Sequence, residues 1–214
     1  MSLPERQAYH HGDLRQALVQ AALELAREGG PQAIVLREAT RRAGVVPNAA
    51  YRHFANHQAL FEAVRSAALA ALAQAIEAEM QAAERLPGAA ERARGLLAAV
   101  GRGYLGFAER ETGWFRTAFA AMAFDVNKQA GPERATAGTA ARGLNPFELL
   151  GYALDAMVSA EVLPAERRPG AEFLAWSTVH GMAMLSIDGP LRAVTPEQRR
   201  MLGKRLLVMV EKGI

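Results

Sequence analysis

The sequence predicts an all-α protein of about nine helices, and three observations carry that class. Apolar residues recur three and four apart through nearly every segment of the chain. The segments are separated by helix breakers at Gly29-Gly30-Pro31, Pro87-Gly88, Asn145-Pro146, Pro169-Gly170, Gly189-Pro190 and Thr195-Pro196. No stretch alternates strictly enough to compete as a strand. Half of the 214 residues are hydrophobic, which suits a folded core and not a disordered chain.

In chain order, residues 1–12 lack a period and read as a loose arm. Arg6, His10 and His11 lie there within reach of a phosphate, or simply fray into solvent. His10 and His11 are adjacent and share no helix face, so they make a poor metal pair, and no metal site is expected. The first helix starts with Asp13 as its N-cap. Leu14, Ala17, Leu18, Ala21 and Leu25 mark its apolar face, and Gly29-Gly30-Pro31 stops it.

A second helix covers Leu36 to Ala43, and Gly44 permits a sharp turn. A third opens at Pro47, whose missing N–H has no helical partner to lose in a first turn, and it ends near Phe54. Asn56 or His57 begins a long fourth helix, about 57–82, through Leu60, Phe61, Val64, Ala68, Leu72, Ile76 and Met80. It is alanine-rich, without internal glycine or proline, and should be straight and stiff.

Pro87-Gly88 separates this head and stalk from the remainder. The division by role is residues 1–60 for the head and 61–214 for the body, with the fourth helix linking the two. Helices of about 89–110 and 112–125 follow. Val126 to Gly143 is rich in Gly, Ala, Thr and charge, without an apolar period, and reads as a mobile loop. Three further helices run from about Asn145 to Pro164, over 171–188 and over 196–212.

Composition narrows the function classes. There is no cysteine, so no disulfide framework, zinc-thiolate site or thiol nucleophile is available. The N-terminus carries no apolar signal core, and no apolar run approaches the ~18 residues of a membrane span. Both point to a soluble cytoplasmic protein. Paired-carboxylate, Gly-rich phosphate-loop and HExxH patterns are missing, so no enzyme and no cofactor is expected. Net charge is only +3, but four arginines (Arg37, Arg41, Arg42, Arg52) face one acid, Glu38, between Arg37 and His53. That surface suits a polyanion or is a solvated face, and charge alone does not choose.

The stretch from Leu36 to Leu60 resembles the head of the tetracycline-repressor-like (TetR) family of bacterial transcription regulators. The matching elements are Ala43-Gly44-Val45, Tyr51-Arg52-His53-Phe54 and Ala59-Leu60, with the preceding helix and Gly29 at the family's spacing. Trp176-Ser177-Thr178-Val179-His180-Gly181 followed by Asp188-Gly189 is similar to the WHG-type C-terminal domain of one branch. So are Tyr9-His10-His11-Gly12-Asp13-Leu14 and Gly113-Trp114-Phe115-Arg116. The resemblance implies a dimeric reader of a two-fold double-stranded DNA operator, responsive to a small molecule.

A recognition helix turns its N-terminal side chains to base edges in the major groove. Here that is the third helix. Ala50 and Phe54 should face the other two helices, leaving Pro47, Asn48, Ala49 and Arg52 for DNA. Asn48 suits adenine, and Arg52 suits guanine or a phosphate. By family likeness, Tyr51 and His53 match positions that hold the DNA backbone, and Arg37 matches one close to base edges. Thr40 and Arg42 are candidates for phosphate. His57 stands where a phosphate-binding lysine is usual. Ala39 and Ala50 replace larger aliphatics, so either neighbours such as Leu36 and Phe61 fill the space or the head is looser. Val35 replaces the hydroxyl cap of the second helix, removing a bond worth ~1 kcal/mol.

The dimer contact is expected on 171–188 and 196–212, with Ser177 and Gly181 allowing close approach and Leu202, Leu206, Met209 and Val210 as the final helix's stripe. The alternative is that these helices only complete one chain's core. The candidate effector site is the aromatic and methionine cluster of Tyr104, Phe107, Trp114, Phe115, Phe119, Met122, Tyr152, Met157 and Trp176. Arg116, Asp155, Ser159 and His180 are its candidate polar groups. His180 reads equally as a core histidine bonded to a backbone carbonyl. The expected function is a ligand-released repressor. An effector-independent DNA-binding regulator, or a small-molecule carrier with a vestigial head, are the alternatives.

Overall fold

The computed structural model describes residues 11–120 and 141–214. Among them are nine α-helices, three short 3-10 turns and no strand. They are α1 (His11–Gly29), α2 (Leu36–Arg42), α3 (Pro47–Ala50), α4 (His57–Glu84), α5 (Ala89–Arg110), α6 (Thr112–Ala118), α7 (Pro146–Ser159), α8 (Ala171–Ile187) and α9 (Pro196–Gly213). The 3-10 turns at Pro31–Ala33, Ala165–Arg167 and Pro190–Ala193 each follow or include a proline, and sequence periodicity did not reveal them. Residues 1–10 of the expected arm, Met122 and most of the stretch 126–143 lie outside the described residues, while His11 and Gly12 open α1.

Caps explain where most helices start. The Asn56 side chain accepts from Ala59 N–H at 2.9 Å and opens α4. Asn145 with Glu148, and Thr195 with Gln198, form reciprocal capping boxes on α7 and α9. Val35 gives α2 no side-chain cap, as its missing hydroxyl requires. Several expected boundaries shift: α6 ends at Ala118 and not near 125, and α7 ends at Ser159 and not at Pro164. α1 begins at His11 and not after Asp13. α3 is a single α-helical turn: after Ala50 the chain tightens, with His53 and Phe54 N–H both bonded to the Ala50 carbonyl.

Two hydrophobic cores result, and α4 enters both. The head core joins Leu18, Ala22, Ile34, Ala39, Ala50, Phe54, Leu60 and Val64, all at most 1% exposed. The body core takes Leu72, Ile76 and Met80 from α4 and packs them on α5 and α7, with α8 joining that core against α5 and α7. Between them, Ala68, Leu69 and Ala118 form a small third cluster with Trp114 and Phe119.

α4 corrects the expectation about apolar runs. It has 28 residues and a window of mean hydropathy 1.4, long and apolar enough by composition to cross a membrane. Half of that window is buried inside the protein, because a helix that serves two cores needs apolar residues on several faces. The buried Glu77 carboxylate interrupts it and accepts the backbone N–H groups of Ala141 and Arg142 at 2.7 and 3.0 Å.

Candidate functional site

The head is set by a corner. Gly44 adopts φ +68°, a left-handed conformation that costs glycine little, and the chain turns from α2 to α3 there. Val45 N–H bonds back to the Thr40 carbonyl at 3.0 Å and closes the turn. Behind it, Ala39 and Ala50 are fully buried in the core that also holds Leu36 and Phe61. Phe54 is 1% exposed and carries the Arg15 guanidinium 5.0 Å from its ring centroid. Ala43 and Val45, on either side of Gly44, are only partly covered.

The opposite face holds Arg37, Pro47, Asn48, Tyr51 and Arg52, all exposed, with Ala49 and His53 half-buried beside them. Tyr51 is 58% exposed, so its ring is not a packing element. Three candidates are placed differently. Thr40 is 1% exposed, and its hydroxyl donates to the Arg37 carbonyl at 2.7 Å. It points inward because α2 turns that residue toward α1, and it presents no hydroxyl to a phosphate.

Arg42 forks onto Glu28 of α1 at 2.6 and 2.8 Å and lies 3.7 Å from Glu38. The bond from Arg42 holds the Glu28 carboxyl below its ordinary range, and the guanidinium is held correspondingly more basic. It staples α2 to α1. Arg41, expected to be solvated, forks onto Glu38. His57 Nε2 lies 2.6 Å from the Ile34 carbonyl oxygen. A carbonyl only accepts, so Nε2 carries the proton and ties the start of α4 to the entry of α2.

α6 bolts the body to the head. A Cβ on Gly113 would lie 2.2 Å from the Ala26 carbonyl oxygen, so only glycine allows this approach of α6 to α1. Beside it the Trp114 indole donates to the Leu23 carbonyl at 2.7 Å, and the Arg27 guanidinium sits 5.4 Å above the same indole. Arg27 also pairs with Glu111 at 2.7 Å. Trp114 is thus a junction residue, lining a cleft between α1 and α4 and not the cavity of the body.

Inside the body, Tyr104, Phe115, Phe119, Trp176 and His180 form an aromatic box. Tyr104 and Phe115 meet edge-on at 5.3 Å, and Phe119 and His180 at 4.9 Å. The Trp176 indole donates to the Tyr104 hydroxyl at 3.2 Å, and that hydroxyl lies 2.7 Å from His180 Nδ1. An indole N–H cannot accept, so the phenol proton goes to His180, whose own proton then sits on Nε2. Burial pushes the Tyr104 phenol well up and the His180 imidazole down, which keeps both neutral. His180 therefore answers a phenol and not the backbone carbonyl expected of a core histidine.

The box borders a cavity of about 40 Å³ lined by Tyr104, Phe119 and Trp176 together with Leu97, Val100, Leu150, Val179 and Leu207. The aliphatic lining was illegible in sequence, since such residues at helical spacing look like any core. Several candidates lie elsewhere. Phe107 and Met157 are core, 3% and 1% exposed. Phe115 stands behind the lining. Arg116 pairs with Asp188, Asp155 with Arg168, and Ser159 donates to the Asp155 carbonyl, all on the surface. Tyr152 is 40% exposed under the Arg142 guanidinium. Their helical phase pointed to the body, but each had a polar neighbour outside to pair with.

Among the described residues, six of the ten exposed large hydrophobic ones lie on the last two long helices: Phe173, Leu174 and Leu185 on α8, and Met201, Val208 and Met209 on α9. The expected α9 stripe divides. Val210 is buried and Leu206 packs on the chain's own core, while Met209 faces outward.

A helix-turn-helix head on an all-helical body with an apolar cavity is the build of a DNA-binding regulator. Residues 18–64 match the family described as bacterial regulatory proteins, tetR family, and residues 97–210 match the tetracyclin repressor-like C-terminal domain. The chain belongs to the TetR family and is a DNA-binding transcriptional regulator. Its fold is similar to that of a protein of unknown function from Rhodococcus sp. RHA1, at 24% identity and a TM-score of 0.70 over 98% of this chain and 99% of that one. It is also similar to the transcriptional regulator FadR from Bacillus subtilis in complex with stearoyl-CoA (14% identity, TM-score 0.55, 93% and 98% covered). A TetR variant from Acinetobacter baumannii AYE in complex with minocycline is a third (17% identity, TM-score 0.54, 92% and 94% covered). No curated protein matches the chain.

Proposed function

We propose that the protein is a dimeric, sequence-specific repressor, working in the cytoplasm, that a small apolar or amphipathic ligand releases from a two-fold operator. The observation that carries this reading is the split of the head into a dry face (Ala39, Ala50, Phe54) and an exposed face (Arg37, Asn48, Tyr51, Arg52). Asn48 and Arg52 read base edges, Arg37 sits close to them, and Tyr51 and His53 hold the backbone. Protection of DNA flanking the gene tests it. A palindrome should be covered by the wild type and lost with Arg37→Ala plus Tyr51→Ala, and equal protection by the double variant would sink the head assignment.

Dimerisation uses the exposed apolar stripe of α8 and α9, whose six large residues are the main apolar surface among the described residues. Leu174→Arg with Val208→Glu should give monomers at micromolar concentration and abolish operator binding. The functional boundary is placed by role at residues 60 and 61, although α4 is shared as the lever and carries Phe61 and Val64 into the head core. An effector in the aromatic box displaces Phe119 and so moves α6. Gly113 and Trp114 pass that motion to α1, shifting the population toward head spacings unlike the ~34–36 Å of successive major-groove faces.

One observation favours an effector-independent regulator: a cavity of about 40 Å³ holds two or three waters, far below the about 300–1,000 Å³ of ordinary ligand clefts. In the repressor reading this is the closed state, and an effector must dilate it. The fold's likeness to proteins bound to stearoyl-CoA and to minocycline supports that reading. An effector library in which nothing raises the melting temperature or weakens operator binding decides for the independent regulator.

A further inference from the structure

We propose that the cleft between α5, α8 and α9 is a second binding site, which takes an amphipathic anion: a phosphate or carboxylate head on a short apolar chain. The cleft lies beyond the aromatic box and shares only Leu207 with its cavity. Its volume is about 430 Å³, within the range of about 300–1,000 Å³ for small-molecule clefts.

Two features select the occupant. The walls carry five cations, Arg102, Arg110, Arg199, Arg200 and Lys204, against one carboxylate, Glu109. Arg102 is paired with Glu79 at 3.0 Å, and Arg199 is held by the Val194 carbonyl at 2.8 Å and Glu109 at 3.5 Å. Arg110, Arg200 and Lys204 have no ion pair among the described residues, so the cleft keeps an unbalanced positive field. The floor is apolar: Leu105, Met182, Ala183, Ile187 and Leu207.

A bare anion gains nothing from that floor, and a neutral hydrocarbon gains nothing from the cations. A molecule with both parts satisfies both, with its head on Arg200 and Lys204 and its chain against Leu105 and Met182. On α9 the exposed Met209 stands opposite the cleft residues Arg200, Gly203 and Leu207, and Met201 and Val208 lie on the flank between them.

The test uses the full-length protein and calorimetric titration with decyl phosphate below its micelle concentration, at 150 mM salt. One saturable site per chain is expected. Arg200→Glu plus Lys204→Glu, both exposed positions, should weaken it at least tenfold, and Ser186→Trp should block it by filling the cleft with the charges intact. Trp176→Ala, which alters only the aromatic box, should leave it unchanged. Binding that survives both cleft changes, inorganic phosphate binding as tightly as decyl phosphate, or sedimentation with phosphatidylglycerol vesicles without binding of the monomeric amphipath would each overturn the assignment. No DNA enters the experiment, so its outcome is independent of the repressor reading.

Discussion

The Trp114 indole N–H donates to the backbone carbonyl of Leu23 at 2.7 Å, joining the first helix of the head to the sixth helix of the body. That carbonyl lies within the second half of α1, so any movement of α6 reaches α1 through a hydrogen bond as well as through packing. Trp114→Phe keeps the apolar ring and removes the donor. Stability should fall by about 0.5–1.5 kcal/mol, the worth of one such bond, and amide exchange across Leu23–Gly29 should quicken. Unchanged exchange there would show that the bond does not hold the junction.

Gly113→Ala acts on the same junction by another route. The added methyl would meet the Ala26 carbonyl oxygen at 2.2 Å and the Arg27 carbonyl oxygen at 2.4 Å. Backbone atoms cannot rotate aside, so α6 must move out, at a cost of about 1–3 kcal/mol. The melting temperature should drop by several degrees, and an unaltered value would mean that the two helices are farther apart.

Thr40 and Arg37 are three residues apart on α2 and should behave oppositely. Thr40→Val removes a buried hydroxyl that donates to the Arg37 carbonyl, so it should change stability by about 1 kcal/mol and operator affinity less than threefold. Arg37→Ala, at an exposed position, should leave the melting temperature alone and weaken operator binding at least tenfold. Titration of labelled operator DNA with each variant separates them, and similar losses of affinity would refute the inward placement of Thr40.

Stability should depend on pH through His180. Its folded pKa is depressed by burial below 6.5, so the unfolded chain binds the proton first as pH falls. The contribution is fully present above the unfolded value, about 6.5, and is lost as pH drops toward the folded value. Denaturant midpoints from pH 7.5 down to pH 5 should therefore decline more in the wild type than in His180→Gln. Parallel declines would mean that His180 is as accessible folded as unfolded.

Glu77 anchors the chain where it enters α7. Glu77→Ala removes the acceptor of two backbone N–H groups, Ala141 and Arg142, and should destabilise the body by about 1–3 kcal/mol. Proteolysis next to Arg142 should accelerate in parallel, and an unchanged cleavage rate would contradict the anchoring role.

Much of this architecture was readable from local rules. Asn56, Asn145 and Thr195 cap the helices they precede, and Gly44 turns where a turn was needed, because caps and turns act within three or four residues. The exposed face of the head was legible for the same reason, since helical phase places Asn48 and Arg52 opposite Ala50 and Phe54. Thr40 was misread because a short two-turn helix leaves a residue's phase to the angle at which the helix packs.

The sequence by itself determined the helices, their caps and the apolar face each one offers, since these depend on near neighbours along the chain. Only the tertiary structure decided which distant partner each polar side chain met. Arg42 found Glu28, Trp114 found Leu23, and Tyr104 came to lie between Trp176 and His180. Those pairings depend on how whole helices cross, and many carboxylates and carbonyls along the chain were equally eligible. Packing, by bringing one of each within bonding distance, made the choice.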